Sequence, residues 1–260
     1  MGGWSIEAVA AIIRHTAETE ILPRWRCLEK HQIREKGPGN LVTEADVEAE
    51  RVLTARLTEL LPGSVVVGEE AVAGDPTVLD VLNGTAPVWI VDPVDGTNNF
   101  AHHRPTFGVI VALVQDGRTL AGWIHDPLGN RTATAVAGQG AWMDGQRLHA
   151  AAGVPLEQMS GSVGNTRKAP MIPFVRAVTR AGCVADDYMN LATGRLHFAH
   201  YTRLAPWDHA AGVLLVQEAG GVVALMDGSP YRPLPGQSEM LIAADQDGWQ
   251  RLRRCFDRQA

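Results

Sequence analysis

The chain has 260 residues and a formal net charge of -6, and 45% of its residues are hydrophobic while 20% are charged. This composition is typical of a globular protein with a large buried core, as one compact unit or as two subdomains sharing a cleft, and excludes a disordered chain. The negative charge and the lack of a dense run of Lys and Arg argue against a broad nucleic-acid-binding surface.

Membrane contacts and redox compartment are also constrained by the sequence. The longest apolar stretches, such as Phe107 to Val114, are too short to span a bilayer. The N-terminal residues lack the charged and apolar regions of a signal peptide. Cys27, Cys183 and Cys255 are odd in number and have no paired metal-ligand spacing, which favours reduced thiols. We therefore expect a cytoplasmic protein without membrane or nucleic-acid partners.

The first predicted elements are two helices. One runs from about Ser5 to Lys30 and is expected to be kinked or interrupted at Pro23. After a Gly-Pro-Gly loop, a second helix runs to about Leu61, with Thr43 as N-cap and Asp46 as the acid of a capping box. Capping alone would account for Asp46.

Two short predicted strands then end in acidic residues. The first, Val65 to Val67, is followed by Gly68-Glu69-Glu70. The second, Pro87 to Val91, is followed by Asp92. Both strands therefore deliver carboxylates at their C-terminal ends.

The turn after the second strand has the groups that a metal-assisted phosphate site needs. Pro93 and Gly96 end the strand, and Asp95 with backbone carbonyls such as that of Val94 would suit a hard divalent cation. If a helical turn begins at Thr97, its free N–H groups would face an anion beside the metal. A simple capped turn explains the Asp-Pro-x-Asp-Gly sequence equally well.

Later elements predict a sheet meander followed by alternating helices and strands. From about residue 150 the elements become shorter, which suggests an N-terminal unit of residues 1–150 and a C-terminal unit of residues 151–260. The predicted elements are strands at Phe107–Val114, Leu120–Ile124 and Arg131–Val136, a strand near Ser162, helices at Met171–Thr179 and Asp186–Thr193, strands at Leu196–Ala199, Val222–Leu225 and Met240–Ala243, and a helix at Gln246–Phe256.

Another helix begins near Pro206 and has Asp208 in its first turn, where a carboxylate favours the helix dipole. Asp208 lies far from Asp92 in the sequence. A site containing both residues would have to form where the two halves meet, which is a common place for a ligand cleft.

Taken together, these segments resemble the inositol monophosphatase family. The resemblance covers nearly the whole chain in the family's order, and the Asp92 to Phe100 motif combined with Trp207-Asp208 is highly specific. The matching pieces are Lys36, Leu41–Asp46, Gly68–Glu70, Trp89–Phe100, Gly138–Gly145, Trp207–Gly212 and Glu218–Gly221.

The resemblance implies a metal site built from side chains of both halves. Glu69, Asp92 and the Val94 carbonyl would hold one Mg²⁺, and Asp92, Asp95 and Asp208 would hold a second. A third, weaker ion is expected near Glu69, and Mn²⁺ is expected to substitute for Mg²⁺. Two such ions would activate a water and neutralise charge on the departing oxygen.

It also implies the roles of the surrounding groups. Asp46 and Thr97 would orient and deprotonate the attacking water, with Glu69 as a further catalytic residue, and the N–H groups of Gly96 and Thr97 would bind phosphate. The implied fold is an α+β, layered α-β-α-β-α sandwich of the inositol monophosphatase and fructose-1,6-bisphosphatase type. The implied protein is a lithium-sensitive homodimer that hydrolyses a small phosphorylated metabolite, an inositol phosphate or a sugar or polyol phosphate.

The expected substrate pocket departs from that of inositol-specific relatives. Those members carry a glutamate seven positions before the motif aspartate, where this chain has Tyr201. Arg203 replaces a common glycine and is either a contact for a second anionic group or a solvated surface residue. Cys183 stands where a small hydroxyl residue or alanine is usual. The expected pocket residues are Asp95, Lys36, Cys183, Val184, Tyr201 and Arg203.

Several alternatives stay open at this point. The runner-up enzymes are a fructose bisphosphatase and a nucleotide 3'-phosphatase, and Asn98-Asn99 after the Gly-Thr pair lowers the second option. A different class is a non-catalytic relative that binds a phosphometabolite or a protein. The carboxylate-rich set favours Mg²⁺ over a histidine-bound transition metal. Residues 165–168 are expected to form a solvated turn.

Overall fold

The computed structural model describes residues 4–165 and 169–257. Helix α1 spans Ile6–Thr16 and continues as a π-helical turn, Ala17–Ile21, which ends just before Pro23. The predicted helix is thus interrupted at the expected place, and its extension to Lys30 is wrong. Proline lacks the N–H that a helix uses, and its ring clashes with the carbonyl group four residues earlier.

A β-hairpin precedes the second helix, where the sequence predicts only a loop. Strands β1, Ile33–Gly37, and β2, Asn40–Thr43, pair antiparallel. Helix α2, Glu44–Leu60, follows directly. The predicted capping box is confirmed, because the side chain of Asp46 accepts the backbone N–H of Thr43 at 2.8 Å.

The larger sheet has the strand order β3-β4-β5-β6-β7-β8-β9, with β3 parallel to β4 and the later neighbours antiparallel. Two short helices follow its first strands: α3 after β3 and α4 after β4. The elements are β3 Val65–Gly68, α3 Glu69–Gly74, β4 Val88–Asp95, α4 Thr97–Ala101, β5 Gly108–Gln115, β6 Arg118–Asp126, β7 Arg131–Val136, β8 Gly140–Met143 and β9 Gln146–Arg147.

Strand β4 extends beyond the end predicted at Val91 and passes through Pro93 to Asp95. Its register with β5 shifts between Asp92 and Asp95. A bulge is one of the few places where a sheet tolerates proline, because the missing N–H then costs no ladder hydrogen bond. The bulge puts both carboxylates at the end of one buried strand.

The smaller sheet has the strand order β11-β10-β12-β14-β13. The helix predicted over Met171–Thr179 is wrong: residues Ile172–Phe174 form a 3₁₀ turn, and a strand follows. The β-branched residues that follow Pro173 favour the extended backbone of this strand. The strands are β10 Ser160–Val163, β11 Ala177–Thr179, β12 Phe198–Tyr201, β13 Val222–Leu225 and β14 Met240–Ala243.

Helices separate and cover the two sheets. Helices α1 and α2 cover one face of the larger sheet, and α5, Val184–Ala192, and α6, Pro206–Glu218, lie between the sheets. Helix α7, Gln246–Asp257, covers the far face of the smaller sheet. The predicted α-β-α-β-α sandwich is confirmed. The division at residue 150 stays a prediction.

Alternating side chains explain this layering. In β14, Met240 and Ile242 join the core cluster shared with α6, whereas Leu241 and Ala243 join the cluster under α7. Successive strand residues point to opposite faces, so a strand that is apolar throughout requires a cover on both sides. Within the described part of the chain, no helix is long and apolar enough to cross a membrane.

Candidate metal and phosphate site

Carboxylates from distant segments line one cavity of about 190 Å³. The cavity lies at the C-terminal ends of β3 and β4, beside the tip of the β1–β2 hairpin and the first turn of α6. Its lining includes the predicted ligands Glu69, Asp92, Asp95 and Asp208 with Gly96 and Thr97. The structure therefore brings together the acidic residues that the sequence analysis grouped.

Asp92 and Asp95 are the most buried acids of the cavity, at 1% and 8% exposure. Burial, reinforced by the neighbouring charges of Glu69 and Asp95, raises the pKa of Asp92 well above its usual range. Burial also raises the pKa of Asp95 to about 6, and burial followed by the charge of Asp95 raises that of Asp208. Closely placed carboxylates without a compensating charge resist ionisation, and a bound cation would relieve that cost.

Asp46 and Thr97 form a hydrogen-bonded pair, in which Thr97 lines the cavity and Asp46 is buried behind it. The Thr97 hydroxyl lies 3.0 Å from Asp46 Oδ1 and 2.9 Å from the Val94 carbonyl oxygen. Asp46 Oδ2 accepts the backbone N–H and the hydroxyl of Thr43, at 2.8 and 2.5 Å. Burial raises the pKa of the Asp46 carboxyl to about 7.

Gly96 lies at the contact between the two halves and has a φ of +85°. A Cβ at this position would lie 2.9 Å from the Thr106 carbonyl oxygen and 3.2 Å from the Cys183 Cβ. Glycine is therefore required for both the left-handed backbone and the close approach. Gly96 precedes Thr97, so the backbone N–H groups of this turn stand beside the acidic cavity.

Hydrogen bonds join the end of β4 to the start of α5. Asp95 Oδ2 accepts the Ala185 N–H at 2.6 Å and the Cys183 thiol at 3.0 Å. The Asn99 amide donates to the Ala181 carbonyl at 2.8 Å. Cys183 thus orients an acid of the cavity, and Asn99 is a residue that the sequence analysis did not assign.

Lys36 holds the hairpin against α3. Its ammonium group lies 2.9 Å from Glu69 Oε1 and 2.7 Å from Glu70 Oε1. Within residues 4–165 and 169–257, no three acidic, histidine or cysteine side chains are already arranged around one point. The oxygen donor set fits a hard cation. Glu69, one of these donors, is bonded to Lys36.

Asp208 lies on α6 beside a buried hydrogen-bonded histidine. His209 Nε2 faces the Arg203 carbonyl at 3.0 Å, so this nitrogen carries the hydrogen, and the Tyr188 hydroxyl donates to Nδ1 at 2.8 Å. Burial lowers the pKa of His209 to about 4, which keeps it neutral. The two bonds tie α5, α6 and the loop before Asp208 together.

The other predicted pocket residues are placed differently from the acids. Tyr201 is 5% exposed, and its hydroxyl donates to Asp187 Oδ2 at 2.9 Å, so this group is committed to the protein interior. Arg203 is exposed, and Val184 is half-buried at the first position of α5. Thr166, Arg167 and Lys168 of the predicted solvated turn lie outside the described residues.

Two further buried acids were missed by the sequence analysis. Asp187 is 4% exposed and accepts the Ser162 hydroxyl at 2.6 Å, and Glu50 is 7% exposed on α2. Glu50 follows Asp46 by four positions, which places both on one helix face. This spacing indicates that Glu50 is buried on the same side of α2 as Asp46. Asp187 has no comparable signal in the sequence, because the two hydroxyl groups bonded to it belong to Ser162 on β10 and Tyr201 on β12.

Comparisons with known proteins agree with this geometry. A model described as the inositol monophosphatase family matches residues 5–255. The chain is 32% identical over 212 residues to an inositol-1-monophosphatase of Bacillus subtilis, covering 77% of this chain and 78% of that protein. It is 34% identical over 197 residues to a fructose-1,6-bisphosphatase/inositol-1-monophosphatase of Thermotoga maritima, covering 73% of each. A solved Thermotoga maritima IMPase superimposes with a TM-score of 0.82 at 26% identity, covering 97% of this chain and 96% of that one.

Proposed function

The chain belongs to the inositol monophosphatase family, whose members are phosphoric monoester hydrolases, and we propose that it hydrolyses a small sugar or polyol phosphate with the help of Mg²⁺. The observation that supports this most strongly is the shared cavity. Carboxylates from α3, β4 and α6 line it together with Thr97, which is hydrogen-bonded to the buried Asp46.

The donor set supports two cation positions. Glu69, Asp92 and the Val94 carbonyl would hold one ion, and Asp92, Asp95 and Asp208 would hold the other. A third ion near Glu69 and replacement by Mn²⁺ belong to the same proposal. When bound, Mg²⁺ lowers the pKa of water and stabilises negative charge on phosphoryl and leaving-group oxygens.

The protein's own groups would handle the proton of the attacking water. The Thr97 hydroxyl is close enough to Asp46 to donate to Oδ1 while its own oxygen accepts from the water. The pKa of Asp46, raised by burial to about 7, suits a group that takes up a proton near neutral pH. Asp46 is itself held by two donors of Thr43.

The turn at Gly96 and Thr97 supports phosphate binding. Backbone N–H groups at the start of a helical turn attract anionic oxygens, and Gly96 adopts the left-handed backbone that begins this turn. The substrate phosphate would then lie between these N–H groups and the cations, with Lys36 available once Glu69 is occupied by a cation.

Substrate preference is expected to differ from that of inositol-specific relatives. Position 201 is a tyrosine and not a glutamate, so it offers no carboxylate to ring hydroxyls of a substrate. Its own hydroxyl is bonded to Asp187. Arg203 is exposed in the loop before Asp208 and is suited to bind a second anionic group. A sugar bisphosphate is therefore the second candidate, and a Thermotoga maritima relative carries fructose-1,6-bisphosphatase in its name.

A phosphate-release screen tests the proposed function. Inositol, sugar, glycerol, histidinol and nucleotide monophosphates and fructose 1,6-bisphosphate would be compared in Mg²⁺ and in chelator. We expect release only with Mg²⁺ or Mn²⁺, and inhibition by Li⁺. Full turnover in chelator, or no release from any ester, would contradict the proposal.

Arg203→Ala tests the pocket within the same screen. It should weaken the use of a substrate with a second anionic group by about 1.5–3 kcal/mol, the range for a charged hydrogen bond. Simple monophosphates should be almost unaffected. A preference for myo-inositol 1-phosphate above about tenfold, or about 1.4 kcal/mol, would contradict the pocket assignment but not the phosphatase.

A further inference from the structure

Glu50 is a buried acid that faces the candidate site without lining its cavity. It lies one turn after Asp46 on α2 and is 7% exposed. Its carboxylate oxygens accept the backbone N–H groups of Glu70 and Ala71, each at 2.8 Å. Helix α2 therefore directs the Asp46 carboxylate toward Thr97 and the Glu50 carboxylate toward α3.

The two N–H groups belong to the first turn of a helix, where no intrahelical partner exists. Helix α3 has only six residues, Glu69–Gly74, and Gly68 before it supplies no side-chain cap. A carboxylate bonded to both N–H groups forms charge-assisted hydrogen bonds and also favours the helix dipole. Glu50 supplies from α2 the cap that α3 lacks locally.

The residue before α3 leaves space for this carboxylate. A Cβ at Gly68 would lie 2.2 Å from Glu50 Cδ and 2.4 and 2.5 Å from its two carboxylate oxygens. Any side chain at position 68 would push the carboxylate away from the two N–H groups. The Glu50 carboxylate therefore occupies space that is open only because residue 68 is a glycine.

We propose that Glu50 is a positioning residue that fixes the first turn of α3 and thereby aims Glu69 at the cation position. This inference rests on the role proposed above for Glu69 as a metal ligand. Lys36 bonds both Glu69 and Glu70, so the same turn also anchors the β1–β2 hairpin. Glu50 itself contacts neither substrate nor cation.

Three variants and one control test the proposal. Glu50→Gln keeps the size of the side chain but removes its charge and one acceptor. Gly68→Ala leaves Glu50 intact but occupies the space of its carboxylate, and the double variant combines both. Glu48→Gln is the control, because Glu48 lies on the same helix and pairs with Arg51 at 2.9 Å on the outer surface.

Three readouts separate positioning from general stability. Hydrogen exchange of the Glu70 and Ala71 amides, measured without metal, reports the two bonds directly. Mg²⁺ titration calorimetry reports the affinity for the cation, which depends on the position of Glu69. The value of kcat at saturating Mg²⁺ reports the chemical step. A global loss of stability would raise exchange across the core as well.

We expect Glu50→Gln and Gly68→Ala each to accelerate exchange at these two amides and to weaken Mg²⁺ binding by about 10- to 100-fold, the range for loss of an outer partner of a metal ligand. kcat at saturating Mg²⁺ should be largely retained. The double variant should be no worse than the stronger single variant, because both remove one interaction. Glu48→Gln should match the wild type.

The proposal is overturned if the wild type binds Mg²⁺ and Glu50→Gln binds it equally well, or if amide exchange at 70 and 71 is unchanged. Additive losses in the double variant would also overturn it. A wild type that binds no Mg²⁺ would overturn the proposed function, and this inference with it. The two failures are therefore distinguishable.

Discussion

At the residue scale, Asp46 combines a structural and a chemical position. One carboxylate oxygen closes the capping box of α2, and the other lies 3.0 Å from the Thr97 hydroxyl. The sequence predicts the cap from local spacing, and the structure confirms it. The contact with Thr97 joins residues far apart in the chain, so spacing alone leaves it invisible.

Asp46→Asn separates these two roles. The variant should bind Mg²⁺ nearly as well as the wild type, because Asp46 is not a proposed ligand, while kcat falls sharply through loss of the proton acceptor. Asn keeps a side-chain oxygen that can accept the Thr43 N–H, so the free energy of unfolding should fall by no more than about 2 kcal/mol, the upper end of the range for loss of a helix cap. Calorimetry, initial rates and urea unfolding measure the three effects. Equal metal deficiency in Asp46→Asn and Asp92→Asn would refute the division of roles.

Asp187 is a buried acid that is not among the proposed metal ligands. Both the Ser162 and the Tyr201 hydroxyls bond to its Oδ2, and the buried Oδ1 has no hydrogen-bond partner among the described residues. Burial raises its pKa to about 7 from an ordinary 3.8. Between pH 3.8 and about 7, the Asp187 carboxyl thus stays protonated in the folded protein and is ionised in the unfolded chain.

The stability contributed by this proton is complete below the unfolded pKa and is lost as the pH rises through about 7. Between about pH 5 and about pH 8, Asp187→Asn should therefore lose less stability than the wild type. Urea denaturation at the two pH values measures the difference. The exposed Asp80→Asn serves as control, and parallel losses in Asp187→Asn and wild type would contradict the expectation.

At the element scale, the sequence predicts strongly patterned segments and fails where local signals conflict. The strands Arg131–Val136, Val222–Leu225 and Met240–Ala243 have the predicted bounds. The helix predicted for segment 171–179 is wrong because an apolar run suits either a helix or a strand, and pairing of residues 177–179 with β10 favours the strand. The β1–β2 hairpin is stabilised by Lys36 contacts with α3, which no local pattern reveals.

Close packing of α6 against α5 gives a prediction at this scale. A Cβ at Gly212 would lie 2.1 Å from Tyr188 Cδ2, inside a fully buried ring contact. Gly212→Ala should therefore destabilise the protein by about 1–3 kcal/mol through overpacking. Gly74→Ala, where a Cβ meets open space, should change stability by less than about 0.5 kcal/mol. Thermal unfolding compares them, and equal stability of both variants would show that α6 shifts freely.

At the scale of the whole molecule, the site exists only because the two sheets share a middle layer of helices. Asp95 is bonded to the start of α5, and Asp208 comes from the first turn of α6. The sequence predicts which acids belong together through family resemblance, and their common cavity agrees with it. The family resemblance places Lys36 in the expected pocket, but its ion pair with Glu69 depends on how the hairpin folds over α3 and is not visible in the sequence.

The central claim is that acids from both halves hold the same cations, and Mg²⁺ titration calorimetry on Asp92→Asn and Asp208→Asn tests it most directly. Asp80→Asn is the matched surface control. We expect the wild type and the control to bind Mg²⁺, Asp92→Asn to lose binding, and Asp208→Asn to lose at least one site, although residue 208 lies in the other half of the chain. Wild-type Mg²⁺ binding by Asp208→Asn, or by Asp92→Asn, would contradict the claim.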